Sequence, residues 1–319
     1  MSLWDSLLDR TVAFSFDRTG FARHQRRFVA GDTLDDLGGA HILITGANSG
    51  LGLAAALALR QRGAGLTLLC RDPVKAAAAR AALDAVGRGP LTFLPVDMAD
   101  LDSVSAAAAR VEGPIDALVH NAGLLPLKRE QSAQGQELTV AVHLSGPLRL
   151  TAALRPQLAQ SPRGGRVIFV SSGGMYSERL RVDGLGYPEE PYDGVKAYAR
   201  SKRAQVVLAE LLHARLSGQG VEVASMHPGW ADTPGVASSI PTFRALTAKI
   251  LRSPAEGADT IVWLAAAPRL RGQLGGFWFD RAPAEAHLLP FTREDDAERG
   301  RLWDTVHTLA GLDSGAAWG

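Results

Sequence analysis

One cysteine, Cys70, stands in a chain of 319 residues. That excludes an internal disulfide framework and fits a reducing compartment. The thiol follows Leu66-Thr67-Leu68-Leu69 on a predicted strand and reads as buried and inert. No apolar run approaches the ~18–20 residues of a membrane span. Charge of either sign is not in excess: 34 Lys and Arg face 33 Asp and Glu, a net +1, which leaves no electrostatic footprint for nucleic acid. Clustered Cys/His spacings are missing, so no metal is expected. Asp5, Asp9 and Arg10 interrupt the hydrophobic N-terminus, which is not the pattern of a secretory signal. A cytoplasmic protein is the expectation.

Hydrophobic residues make up 46% of the chain, enough for one large α/β domain with extensions. Residues 1–38 stand apart as an arm. In it Trp4, Leu7, Leu8, Val12, Phe14, Phe16, Phe21 and Phe28 alternate with Arg18, Arg23, Arg26 and Arg27. Two readings stay open: an amphipathic arm that touches a membrane or caps a site, or a helix packed on the domain surface. From residue 40 strand and helix patterns alternate. Strands are expected at His41–Thr45, Leu66–Cys70, Leu91–Val96, Ala117–His120, Val167–Ser171, Val221–Met226 and Gly276–Phe279. Helices are expected at 51–61, 73–86, 101–110, 135–159, 196–217 and 254–266. This order predicts a Rossmann-type, doubly wound, seven-stranded parallel sheet with helices on both faces. One domain then spans 39–282, and 283–319 is a C-terminal tail.

Within this frame, Thr45-Gly46-Ala47-Asn48-Ser49-Gly50-Leu51-Gly52 joins the first strand to a helix. Glycine lets the backbone turn sharply and approach a pyrophosphate, and the helix N-terminus offers free N–H groups to the anion. The Gly-x-x-x-Gly-x-Gly spacing differs from the Gly-x-Gly-x-x-Gly of most dinucleotide folds. At the end of the second strand Arg71 offers a planar fork to a ribose 2′-phosphate, pointing to NADP(H) over NAD(H), although Asp72 follows it. Asp97, with Met98 beside it, follows the third strand and supplies an acceptor for adenine or a plain turn. Asn121-Ala122-Gly123 follows the fourth; its small residues admit the cofactor, and its amide could instead tie strands together.

Ser172 stands just beyond a strand end, where a hydroxyl can hold a substrate oxygen. Two Tyr-x-x-x-Lys pairs compete, Tyr192/Lys196 and Tyr198/Lys202. Pro191, Asp193 and Gly194 break the helix at the first, whereas Tyr198 and Lys202 lie on one helical face. A lysine ammonium and a nicotinamide ring would lower the phenol's pKa, so Tyr198 could give or take an alcohol proton. Pro228-Gly229, with Thr233 nearby, could close over the nicotinamide.

In this order the motifs resemble the short-chain dehydrogenase/reductase family from about residue 40 to 280. The resemblance implies NADP-type binding by Gly46, Asn48, Ser49, Gly50, Leu51, Gly52 and Arg71. It implies adenine contact by Asp97 and nicotinamide-side contact by Asn121, Pro228, Gly229 and Thr233. It also implies that Ser172 orients the substrate oxygen, Tyr198 acts as acid or base, and Lys202 binds ribose and tunes Tyr198. One departure is His143, which stands where the family usually has an asparagine that holds a water of the proton relay. It either replaces that residue or is a packed helix histidine. The expected function is NADP-dependent hydride transfer at a carbonyl or secondary alcohol. The alternative is an NADP(H)-binding sensor or scaffold with weak catalysis. Met175, Tyr176, Leu180, Leu185, Tyr187 and Tyr192, with Trp230, Phe243, Phe277, Trp278 and Phe279, point to an apolar small-molecule substrate. A homo-oligomer stays open.

Overall fold

Runs such as Ile42-Leu43-Ile44 and Val167-Ile168-Phe169-Val170 are apolar at every position because each strand is covered on both faces. A computed structural model describes residues 11–87, 89–235, 244–245, 247–313 and 318. Trp4, Leu7, Leu8 and Phe243 of the sequence reading lie outside the described residues. The strands are β1 (His41–Thr45), β2 (Gly65–Cys70), β3 (Leu91–Pro95), β4 (Ala117–His120), β5 (Gly165–Val170), β6 (Val221–Met226), β7 (Phe277–Phe279) and β8 (Ala282–Pro283). They form one sheet in the order β3-β2-β1-β4-β5-β6-β7-β8. The first seven are parallel, and β8 pairs antiparallel with β7.

Strand residues alternate between two cores. Leu43, Leu118, Val167, Phe169 and Val223 pack with the helices Leu101–Ala108, Gly146–Ala159 and Gly194–Leu216 on one face. Ile44, Val119, Ile168, Val170 and Met226 pack with the helices Gly50–Gln61 and Pro254–Ala266 on the other. Strand order reverses between β1 and β4. The crevice beyond their C-terminal ends is where open α/β sheets bind ligands.

The doubly wound sheet is as expected, with one strand more than the seven predicted. The reason is local: β8 is two residues long, and the turn before it, Asp280-Arg281, carries positive φ at both positions (45° and 59°) without the Asn-Gly or Asp-Gly signature of such turns. The stretch 135–159 is not one α-helix but a turn at Leu138–Val140, a π-helical turn at Ala141–Ser145 and the helix Gly146–Ala159. Within 283–319 the helix Asp296–Leu309 buries Leu302, Trp303 and Val306 in the first core. The arm forms the short helices Val12–Phe16 and Arg18–Gln25, with Phe16 and Phe21 turned inward and Phe14 exposed. Among the described residues no helix is long and apolar enough to cross a membrane.

Candidate active site

The floor of the crevice is backbone that only glycine permits. Gly46 has φ 66°, and a Cβ there would lie 2.9 Å from Ala122 Cα. A Cβ on Gly52 would lie 2.4 Å from Asn121 Nδ2. The helix can therefore start hard against β4. Its N-cap, Ser49, makes no side-chain capping bond, so the first N–H groups of Gly50, Leu51 and Gly52 are not taken by a cap. Asn121 Nδ2 donates to the carbonyls of Thr45 (2.9 Å) and Gly46 (3.2 Å), tying β4 to the glycine turn. A Cβ on Gly50 would meet the Thr233 side chain at 3.4 Å, so the turn and the 228–234 loop face each other.

Tyr198 and Lys202 share the helix Gly194–Leu216, whose N-cap is Asp193. That cap leaves Tyr192 and its lysine partner straddling the helix start. The Tyr192 hydroxyl is bound to Glu137 Oε1 at 2.8 Å. Tyr176 donates to the Glu285 carbonyl at 2.8 Å. The Tyr198 hydroxyl instead meets Ser172. Ser172 Oγ accepts from Gly174 N–H at 3.2 Å, which leaves its own hydrogen for the phenol oxygen. Burial raises the Tyr198 pKa, and the serine bond offsets only part of that rise. The phenol therefore holds its proton in the cofactor-free chain; the lowering expected from sequence also counts the charge of a bound nicotinamide ring. Desolvation outweighs the lysine, because burial also drives the Lys202 ammonium down to about 7. Lys202 Nζ lies 5.7 Å from the Tyr198 ring centre and donates to the Val170 carbonyl at 2.8 Å and to Gln205 Oε1 at 3.1 Å.

His143 is fully buried in the π-helical turn, edge-on to Tyr198 with ring centres 5.4 Å apart. Leu124 N–H donates to its Nε2 at 3.2 Å, so that nitrogen is unprotonated and Nδ1 carries the hydrogen. Nδ1–H reaches Ser201 Oγ at 2.8 Å, whose own hydrogen goes to the Tyr198 carbonyl. Both ring nitrogens are thus occupied by protein groups. Burial, with the Lys202 charge adding to it, holds the imidazole pKa well below its usual value. The ring is neutral and buttresses the Tyr198 helix.

Arg71 and Asp97 meet at the ends of β2 and β3, Nη1 to Oδ2 at 3.6 Å, with the arginine largely exposed. Asp72 is spent elsewhere: its Oδ1 accepts from Val74 and Lys75 N–H at 2.9 and 3.1 Å and caps the helix Pro73–Asp84. Met98 is buried in the first core, so its side chain packs rather than lining the crevice surface.

The Pro228-Gly229 loop rests on Arg252, a residue the sequence reading missed. Gly229 has φ 73°, and a Cβ there would fall 2.5 Å from the guanidinium. Arg252 donates to the Pro228 carbonyl (3.3 Å) and to the Ser15 and Asp17 carbonyls of the arm (3.0 and 3.2 Å). Phe16 packs against His227 with ring centres 4.3 Å apart, and its carbonyl accepts from Trp230 N–H at 2.8 Å. The arm is thereby part of the wall behind the loop. Gln205 is the second omission. Neither position carries a sequence signal: the partners of Arg252 lie far away in the chain, and Gln205, although it stands three residues from Lys202, has its second partner on the distant His143 carbonyl. A cavity of about 470 Å³ opens at the start of the Tyr198 helix, lined by residues that include Leu125, Leu127, Tyr187, Tyr192 and Val195.

Residues 40–242 match the family model described as short chain dehydrogenase. The chain is 38% identical over 300 residues to Dehydrogenase/reductase SDR family member 12 of Bos taurus, covering 92% of this chain and 94% of that one. It is 32% identical to Retinol dehydrogenase 14 of Mus musculus, over 91% of each chain. Among solved structures, a short chain dehydrogenase of Shigella flexneri complexed with NADP superposes with a TM-score of 0.64 at 26% identity, covering 78% of this chain and 99% of that one.

Proposed function

This chain belongs to the short-chain dehydrogenase/reductase family, and from that premise we propose that it reduces an apolar aldehyde or ketone with NADPH, Tyr198 giving the proton. Family membership makes it an NAD(P)-dependent oxidoreductase acting on CH–OH groups. The observation that carries the finer reading is the convergence of Ser172, Tyr198 and Lys202 beside a glycine turn whose helix N-terminus is uncapped by any side chain.

That crevice fits a dinucleotide: Gly46 and Gly50 both hold positive φ, and a Cβ on Gly46 would crowd Ala122. Gly46, Asn48, Ser49, Gly50, Leu51 and Gly52 would hold the pyrophosphate, with Asp97 toward adenine. Asn121, Ala122, Gly123, Pro228, Gly229 and Thr233 would flank the nicotinamide end. When bound, the cofactor supplies the hydride. The NADPH preference rests on Arg71, which is largely exposed and held only by a loose pair with Asp97 from which its guanidinium would swing onto a 2′-phosphate, and on Asp72, which is committed to a helix cap and does not compete for a ribose hydroxyl.

Ser172 and Tyr198 would hold the substrate oxygen from two sides. A phenol kept protonated by burial is in the form that donates to a developing alkoxide. Lys202, beneath the phenol, would stabilise phenolate once the proton has left. The apolar substrate class rests on Leu125, Leu127, Tyr187, Tyr192 and Val195, which share the cavity lining with Glu190, Asp193 and Lys196.

The test is NADPH oxidation with a panel of apolar aldehydes and ketones. Tyr198→Phe should bind cofactor normally and lose about 10²–10⁴ in turnover. Tyr192→Phe should stay near the parent rate, since its hydroxyl is spent on Glu137. Cofactor binding without reduction of any carbonyl would favour the sensor reading. Loss of turnover in Tyr192→Phe with retention in Tyr198→Phe would discard the site.

A further inference from the structure

Lys202 has three N–H donors and a fully enclosed ammonium. Two donors are accounted for: one goes to the Val170 carbonyl at the end of β5, the other to Gln205 Oε1. Gln205 sits three residues on, on the same helical face, and is itself fully buried. Its other end, Nε2, donates to the His143 carbonyl at 3.1 Å. The amide cannot be turned over. An ammonium requires the oxygen on one side, and a carbonyl requires the NH₂ on the other. The acceptor carbonyl belongs to the π-helical turn, where the regular helical ladder is interrupted, a feature often found at functional sites.

We propose that Gln205 is a positioning residue whose side-chain amide bridges the Lys202 ammonium to the His143 carbonyl and so aims the remaining Lys202 N–H into the crevice beneath Gly123 and Tyr198. This rests on the reading of Tyr198 and Lys202 as the reacting pair. The ammonium lies 3.7 Å from where a Cβ on Gly123 would stand, so it is directly below the backbone that borders the crevice. Without the amide, a flexible four-carbon stem would hold its charge by the Val170 carbonyl alone. The titratable groups around Lys202 are His143 and Tyr198, from the π-helical turn and from its own helix. Among the described residues no Asp or Glu forms an ion pair with it. Gln205 is therefore the polar side chain that favours the ammonium form.

The chain has only five lysines, which makes their side chains individually resolvable. The experiment labels lysine ε-carbons with ¹³C in the full, cofactor-free chain, assigns Lys202 by Lys202→Met, and follows its titration by NMR. Gln205→Leu keeps the volume but removes both hydrogen bonds, and should lower the Lys202 midpoint by about half a pH unit or more. Gln205→Glu sets a carboxylate against the ammonium and should raise it by about one unit or more. With NADPH, the pH profile of kcat should move in the same directions, and Gln205→Leu should lose about tenfold in kcat/KM. Midpoints that stay at the parent value in both variants overturn the proposal, even if both lose stability. Should Gln205→Leu fail to fold, Gln205→Glu alone decides. Shifted midpoints in a protein that reduces no carbonyl leave the bridge standing and discard the enzymatic reading instead.

Discussion

Arg252 grips Asp280 with both prongs of its guanidinium, Nη1 to Oδ1 at 2.6 Å and Nη2 to Oδ2 at 2.8 Å, and neither side chain is more than 4% exposed. Burial alone would raise the carboxyl pKa. His24, 2.6 Å from Oδ2, and Arg252 outweigh it and hold Asp280 below the usual carboxylate range. The remaining Arg252 donors reach Ser15, Asp17 and Pro228. One cation thus locks the N-terminal arm, the β7–β8 turn and the loop read as covering the nicotinamide.

Breaking a buried pair leaves the partner's charge uncompensated, at a cost of about 3–5 kcal/mol. Arg252→Leu should lose that much in urea unfolding. It should also weaken cofactor binding, because Pro228 loses its support. Asp280→Asn should be similarly unstable. A variant at parent stability would mean that the arm and loop are held by other contacts.

Much of this was legible because chemistry and spacing coincide. The glycine turn, Ser172 and Tyr198/Lys202 each sit at a strand end or on one helical face, and periodicity places strand ends well. Asp193 at the helix start decided between the two Tyr-x-x-x-Lys pairs from local signals alone. What escaped depends on distance or on the backbone. Arg252 serves a carbonyl 235 residues away and Gln205 a carbonyl 62 residues away, and neither leaves a pattern. For Tyr198, sequence reveals the neighbouring Lys202 charge but not the desolvation that raises the phenol pKa in the cofactor-free chain. The helix Asp296–Leu309 leaves little trace in the sequence, since its buried residues are few among charged ones.

Arg71 gives the cofactor prediction. Arg71→Ala should weaken NADPH about 10–100-fold, the range of a lost charge-assisted hydrogen bond, and leave NADH almost unchanged. Isothermal titration with both cofactors measures it. Equal affinity of the parent for the two would remove the basis for an NADP preference.

His143 should prove to be a buttress. His143→Ala orphans Leu124 N–H and removes the donor to Ser201 Oγ, which keeps its own bond to the Tyr198 carbonyl, at a cost of about 1–3 kcal/mol for a single buried group left unpaired. Turnover should fall with the displaced Tyr198 helix, but the shape of the pH profile between about 5 and 8 should hold, because a histidine held neutral by burial does not titrate there. If His143→Ala instead erases a limb of that profile, the ring is in the proton path and the assigned tautomer is wrong.

Lys202 also makes the stability of the cofactor-free protein depend on pH, with a definite sign. Its pKa is about 7 in the fold and 10.5 when unfolded. Between those values the unfolded chain binds the proton and the native chain does not. Stability therefore rises with pH across that window, by about 1.4 kcal/mol per unit from this group. Its contribution is complete above about 10.5, is lost progressively as pH falls to 7, and changes little below that. Lys202→Met keeps the stem and deletes the titration, so the slope of unfolding free energy between pH 7 and 10.5 should drop by that amount relative to the parent. Arginines do not titrate in this range, but Tyr176, Tyr192 and Tyr198, with pKa values raised by burial, keep protons that the unfolded chain loses and so add a slope of the opposite sign near its upper end. The comparison is therefore read between pH 7 and 9, where lysine dominates. Parallel curves for the two proteins there would mean that Lys202 stays charged in the fold, and that water or a rearranged Gln205 reaches it.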